Sequence, residues 1–252
     1  MSKAILVDTT QCIGCGLCAS ACKETNGLPE GEATELSAET FNVVESHADV
    51  FVRKFCMHCV DPTCVSVCPV GAFRKTAEGP VVYEAERCIG CRYCMMACPF
   101  GIPRYEWGST LPVVKKCTMC APRQARGLQP ACVEACPVGA TVFGERDELL
   151  AEAHRRIREN PSGYVNQVYG EKEVGGTSVL YLSAVPFESL GFPADLPHDA
   201  LPQYTYRVLS KIPSVVSLGG ILLGGIWWIT ARRAAVARAE AKEADEKEAV
   251  DG

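Results

Sequence analysis

VDTTQCIGCGLCASAC (Val7 to Cys22) returns as VYEAERCIGCRYCMMAC (Val82 to Cys98), and this repeat decides how the first half of the chain is organised. Each copy reads as a short strand, a loop with cysteines at C-x2-C-x2-C-x3-C spacing, and a helical turn of small residues. A second repeat, CPVGA, starts at Cys68 and again at Cys136. Outward from these, all sixteen cysteines fall between Cys12 and Cys136 in four groups of four. Group one is Cys12, Cys15, Cys18 and Cys22; group two is Cys56, Cys59, Cys64 and Cys68. Group three is Cys88, Cys91, Cys94 and Cys98; group four is Cys117, Cys120, Cys132 and Cys136.

Groups one and three have the spacing with which bacterial ferredoxins hold [4Fe-4S] cubanes, the fourth cysteine reaching the other cluster of a pair. Groups two and four keep the pattern with a longer gap. Three thiolates must converge on three corners of one cube, so the loop has to be tight, and Gly14, Gly16 and Gly90 permit the turn. Proline follows the last cysteine at Pro69, Pro99 and Pro137, redirecting the chain; group one has Lys23 instead, which removes a turn-former but no ligand. The competing chemistries fit less well. A disulfide framework suits a short secreted domain, and no export signal precedes these cysteines. Four-cysteine zinc sites use C-x2-C pairs, but not three cysteines at x2 spacing followed by a fourth. The expectation is therefore four [4Fe-4S] clusters.

His58, within Cys56-Met57-His58-Cys59, finds no vacancy in a complete four-cysteine group and reads as a packing histidine beside the ligands. Arg92, Lys115 and Lys116 lie next to ligands, where they either raise cluster potentials or are solvated. Tyr93, Met95 and Met96 read as core packing. Strand signals at Phe41 to Val44 and Val50 to Val52 fall on an insert between groups one and two, expected as a surface excursion. ERDELLAEAHRRIRE (Glu145 to Glu159) reads as an amphipathic helix ending before Asn160-Pro161, and Ser178 to Leu182 as a strand. The proline-spaced run from Pro186 to Pro202 reads as a stiff linker.

Between Lys211 and Arg232 no residue is charged, and IPSVVSLGGILLGGIWWITA (Ile212 to Ala231) is long enough to cross a membrane once. Trp227, Trp228, Tyr204 and Tyr206 flank it as interfacial anchors, and Gly220-x3-Gly224 offers a smooth face for another helix. Arg232, Arg233, Arg238 and Lys242 follow it, so the positive-inside rule puts the C-terminus in the cytoplasm and the cysteine region on the opposite face. With no signal read at the N-terminus, export would require a partner subunit carrying a twin-arginine signal. The net charge of -5 supplies no basic field for nucleic acid, and no nucleotide fingerprint or nucleophile motif is present. The expected domains are 1–145 for the clusters, 146–203 for a docking extension and linker, 204–231 for the anchor and 232–252 for a charged tail.

These motifs resemble the four-cluster electron-transfer subunits of respiratory membrane oxidoreductases. CMHCVDPTCVSVCPVGA (Cys56 to Ala72), FGERDELLAEA (Phe143 to Ala153) and VYGEKEVGGTSVLYLSAVPFESL (Val168 to Leu190) are most similar to the hydrogenase-2 type of iron-sulfur subunit. KAILVDTTQCIGC is closer to formate dehydrogenase β subunits. The resemblance implies an α+β fold of two ferredoxin-like halves with one C-terminal transmembrane helix. It also implies a ligand exchange: cluster A on Cys12, Cys15, Cys18 and Cys136; cluster B on Cys22, Cys117, Cys120 and Cys132; cluster C on Cys56, Cys59, Cys64 and Cys98; cluster D on Cys68, Cys88, Cys91 and Cys94. The implied role is a wire without a substrate-converting site of its own. It would join a large catalytic subunit, a [NiFe] hydrogenase or a molybdenum or tungsten formate dehydrogenase, to an integral quinone-reactive or cytochrome b-type membrane subunit. A membrane-tethered polyferredoxin serving diffusing partners is the alternative, and a structural zinc protein the third reading.

Overall fold

The run AILV from Ala4 to Val7 is apolar at four successive positions, the pattern of a strand covered on both faces. In the computed structural model, which describes residues 2–250 and their side chains as far as residue 244, these residues lie on β1 (Lys3–Asp8), the middle strand of a three-stranded sheet. β1 pairs antiparallel with β8 (Thr141–Glu145) and parallel with β9 (Val179–Leu182). Ala4 and Leu6 face α6 (Arg146–Glu159), whose Leu149, Ala153 and Ile157 recur one turn apart and are buried against them. Ile5 and Val7 face the other way, into the main core with Val52, Phe55, Met119 and Tyr181.

Between β1 and β8 the chain makes the elements that carry the cysteines. α1 (Leu17–Thr25) follows group one, and the hairpin of β2 (Asn42–His47) and β3 (Val50–Phe55) leads to group two. α2 (Thr63–Ser66) and β4 (Phe73–Lys75) come next; β4 pairs with β5 (Val81–Tyr83), which precedes group three and α3 (Tyr93–Ala97). A hairpin of β6 (Arg104–Tyr105) and β7 (Val114–Lys115), then α4 (Ala121–Gln124) and α5 (Ala131–Glu134), complete group four.

The strand registers show that one unit is built twice. Val7, five residues before Cys12, pairs with Thr141, five residues after Cys136. Tyr83, five residues before Cys88, pairs with Phe73, five residues after Cys68. The sheet β1–β8 therefore brings group one to group four, and β4–β5 brings group two to group three. The copies are strapped together: the Lys3 N–H donates to the Glu78 carbonyl at 2.7 Å, and the Ser178 N–H to the His58 carbonyl at 3.1 Å.

Two stretches depart from expectation. The β2–β3 hairpin is not a surface excursion, because Val43, Val52 and Phe55 on it are buried in the core. Nor is Pro186 to Pro202 a linker: Phe187, Leu190 and Phe192 pack with Tyr169 and Tyr181 at ring separations of 4.8–5.8 Å for the three aromatic pairs within Tyr169, Phe187 and Phe192. The contacts divide the chain between Pro202 and Gln203. α7 (Leu201–Leu209), which starts just before that division, and α8 (Ile212–Val250) form a helical stretch which by length and composition could cross a membrane. Pro213 sits in the first turn of α8, where its missing N–H costs no helix bond, and the Thr230 hydroxyl donates to the Ile226 carbonyl at 2.9 Å.

Candidate metal centres

Each cysteine loop turns through the left-handed backbone region before its short helix. Gly14 and Gly90 have φ of 71° and 68°, and a Cβ on either would collide: 2.6 Å from the Phe51 ring at Gly14 and 2.9 Å from the Pro112 carbonyl at Gly90. Groups two and four make the same turn with His58, Met119 and Cys120. The loops turn their backbone N–H groups towards sulfur. Ala72 N–H donates to Cys68 Sγ at 3.2 Å, Gly90 N–H to Cys88 Sγ at 3.4 Å, Met119 N–H to Cys117 Sγ at 3.3 Å and Ile102 N–H to Cys98 Sγ at 3.5 Å. Such donors favour the thiolate over the thiol.

All sixteen thiols are free of disulfides. Cys12, Cys15, Cys18 and Cys136 line one narrow cavity together with Val7, Arg53 and Thr141. The mutual repulsion of the thiols identifies the other neighbours. Burial pushes the Cys22 thiol up to about 12, with Cys132 and Cys120 adding to it. Cys117 is raised well above the usual thiol range by burial, then by Cys22, Cys56 and Cys132. Cys59 is raised likewise by burial, then by Cys56, Cys98 and Cys64. Burial takes Cys94 up to about 12, followed by Cys88, Cys68 and Cys91. Thiols distant in sequence, among them Cys22 with Cys132, Cys59 with Cys98 and Cys94 with Cys68, thus act on one another.

Thiols of different sets also act on one another. Cys18 feels Cys132, Cys117 feels Cys56, and Cys64, itself raised to about 12 chiefly by burial, feels Cys94. Clusters held on the expected sets would then follow one another in the order A, B, C, D. Cys22, Cys117, Cys120 and Cys132 of the second set are all buried, whereas Cys15 of the first is exposed and Cys88 and Cys91 of the last are half-buried. Cys88 departs from the rest: burial opposes ionisation, yet the Tyr83 hydroxyl and the Val114 and Gly90 N–H groups prevail and hold its thiol below the usual range.

The donor set suits an iron-sulfur cubane. Four soft thiolates per site, in apolar surroundings with N–H donors to sulfur, are its usual ligation. A second observation points the same way: Arg53 is fully buried, and its Nε and Nη2 have no hydrogen-bond partner. A cubane with four thiolates is anionic and rich in sulfur acceptors, which is what such a cation lacks. Among the described residues no three His, Cys, Asp or Glu side chains are placed to hold a single metal ion between them.

The remaining singled-out residues fall as follows. His58 is fully buried and neutral, its pKa held well below the usual value by burial and then by Lys116 and Lys75; Nδ1 accepts the Val81 N–H at 2.9 Å. Lys116 is buried, donating to the carbonyls of Val81 and Cys117, while Lys115 pairs with Glu106 at the surface. Tyr93 and Met96 are not core residues: both are exposed, and only Met95 of the three packs inward, against the cluster of Phe73, Val81 and Val114. Arg92 lies over the Tyr105 and Trp107 rings at 5.3 and 5.4 Å. Arg53 escaped the sequence reading. No local signal sets it apart, since Lys54 follows it on the same strand.

Comparison with known proteins agrees with this geometry. The family model of the 4Fe-4S dicluster domain matches residues 48–146, and that of the 4Fe-4S binding domain matches residues 5–24. A protein of Nitratidesulfovibrio vulgaris is 43% identical over 96% of this chain and 70% of its own. The hydrogenase-2 operon protein HybA of Escherichia coli O157:H7 is 38% identical over 76% of this chain and 73% of its own. The iron-sulfur subunit of the nitrate-inducible formate dehydrogenase of Escherichia coli K12 is 38% identical over 71% of this chain and 67% of its own. With free thiols ordered in repeated ferredoxin-type loops and relatives of this extent, the chain belongs to the family of 4Fe-4S iron-sulfur subunits that includes the HybA and formate dehydrogenase proteins.

Proposed function

We propose that the chain holds four [4Fe-4S] clusters, on the sets A to D given above, and relays electrons along that row. One partner would be a large catalytic subunit of the hydrogenase or formate dehydrogenase type, by analogy with what the relatives' names say of them. The other would be an integral quinone-reactive or haem subunit, reached through the anchor. The reading is supported by the thiols of each set acting on one another and by three pairs, Cys18 with Cys132, Cys117 with Cys56 and Cys64 with Cys94, that act on one another across sets.

When bound, each cluster supplies a site that gains or loses a single electron. The chain's residues do the rest. Burial of the second set excludes water, the backbone N–H groups stabilise negative charge on sulfur, and tight loops hold the ligands still. Both ends of the row come towards the surface, with exposed Ile13 and Leu17 beside the first set and Ile89, Tyr93 and Met96 beside the last. Arg232, Arg233, Arg238 and Lys242 after the apolar stretch support, by the positive-inside rule, a cytoplasmic C-terminus with the clusters on the opposite face.

Chemical analysis tests the reading. The purified chain should contain about sixteen irons and sixteen acid-labile sulfides, four for each cluster. A value near eight, or abundant zinc, overturns it.

A further inference from the structure

Arg53 combines features that rarely meet. It lies on β3, is 2% exposed, and is held from three sides. Its Nη1 donates to Thr141 Oγ1 at 3.2 Å, the Phe55 ring lies 3.9 Å under the guanidinium carbon, and the Tyr181 hydroxyl donates to its backbone carbonyl at 2.7 Å. Among the described residues it forms no ion pair, and the two buried acids are engaged elsewhere. Asp8 accepts from Arg156, Tyr164 and Thr10, and Glu173 from Gln167 and Gly170. Burying a guanidinium without an anion is among the most unfavourable arrangements a fold can contain. Nε and Nη2 remain without partners.

The side chain borders a cavity lined with sulfur. Arg53 lines the cavity of Cys12, Cys15, Cys18 and Cys136, and the groups acting on it most strongly after burial are Cys132 and Cys18, with Cys117 also among them. It thus borders the thiols of the first set and is acted on by Cys132 and Cys117 of the second. We propose that Arg53 is a cation shared by clusters A and B, its free Nε–H and Nη2–H donating to their sulfur atoms and stabilising their reduced forms. The inference rests on the four-cluster reading above. Each cluster with its thiolates is anionic and gains one further negative charge on reduction, so a fixed buried cation favours the reduced state and raises the potential of both. Clusters C and D are served differently: Lys116, on their side, already spends donors on the carbonyls of Val81 and Cys117.

The test uses the full-length chain, purified in detergent, as wild type, Arg53→Met and Arg53→Lys. Iron is counted first, and the four clusters are then titrated potentiometrically with electron paramagnetic resonance detection. In Arg53→Met two clusters should titrate lower, by at least a tenfold change in the reduced-to-oxidised ratio at fixed potential, about 59 mV for one electron, while the other two stay in place. Arg53→Lys should recover much of the shift. Loss of iron in Arg53→Met that Arg53→Lys restores also supports the charge role. Full iron with four unshifted potentials overturns the proposal and leaves the cluster reading intact, and loss of iron in both variants assigns Arg53 to packing and overturns it too. Wild-type iron far below sixteen instead removes the reading on which it stands.

Discussion

The two CIGC repeats have the same cysteine spacing and differ directly after their last cysteine, where one has Lys23 and the other Pro99. α1 runs on past Cys22 to Thr25, and the Asn26 side chain closes it by donating to the Cys22 carbonyl at 2.7 Å. α3 stops at Ala97, because the residue before a proline is pushed out of helical backbone, and Cys98 is extended with φ -76° and ψ 114°. Cys22 is consequently locked inside a helix and buried, while Cys98 leaves the helix and accepts the Ile102 N–H. Ligand spacing thus sets the shape of the loop around a cube. The next residue sets where the fourth thiolate goes and how deep it lies.

Four experiments break or sharpen this contrast. The largest effect is expected from exchanging the fourth ligands. Cys22→Ser should disturb the cluster on Cys117, Cys120 and Cys132, and Cys98→Ser the one on Cys56, Cys59 and Cys64; resonance signals showing damage confined to each residue's own sequence neighbours would refute the pairing. Next comes Lys23→Pro, which writes the third repeat's exit into the first. Proline there clashes with the preceding turn of α1 and should cost about 3 kcal/mol, measured as a lowered denaturation midpoint of the loaded protein. The reverse change, Pro99→Ala, lies outside any helix and should move stability by less than about 1 kcal/mol. Asn26→Ala removes one closing hydrogen bond and should cost about 1 kcal/mol, well below the Lys23→Pro effect; equal stability to wild type would show that the cap does not hold α1.

Much of this was legible beforehand. Cysteine chemistry is local, so the loops, the groups and the turn glycines followed from spacing, and α6 followed from Leu149, Ala153 and Ile157 recurring at helical intervals. What failed was everything that depends on tertiary neighbours. Val43, Val52 and Phe55 sat in a stretch whose polar residues suggested surface, but strand alternation put one face against the core. Phe187, Leu190 and Phe192 were masked by Pro186 and Pro193 on either side, although the two phenylalanine rings complete an aromatic cluster around Tyr169. Tyr93 and Met96 were expected inside because they are apolar, yet a five-residue helix has room to bury only one side. Arg53 could not be found from sequence at all, since nothing local distinguishes a cation that faces sulfur from one that faces water.

The matched registers of Val7 with Thr141 and Tyr83 with Phe73 nest one unit inside the other. Because the inner unit spans only groups two and three, a nascent chain would have every ligand of the proposed clusters C and D once Cys98 has left the ribosome. The outer unit has to wait for Cys132 and Cys136, and its sheet for β8 and then β9. Pairing across so long a separation is slow compared with local pairing. Iron delivered during synthesis would therefore fill the row from its inner unit outwards, and a chain cut short after β5 and α3 would be left as a two-cluster fragment with the four thiols of group one unclaimed.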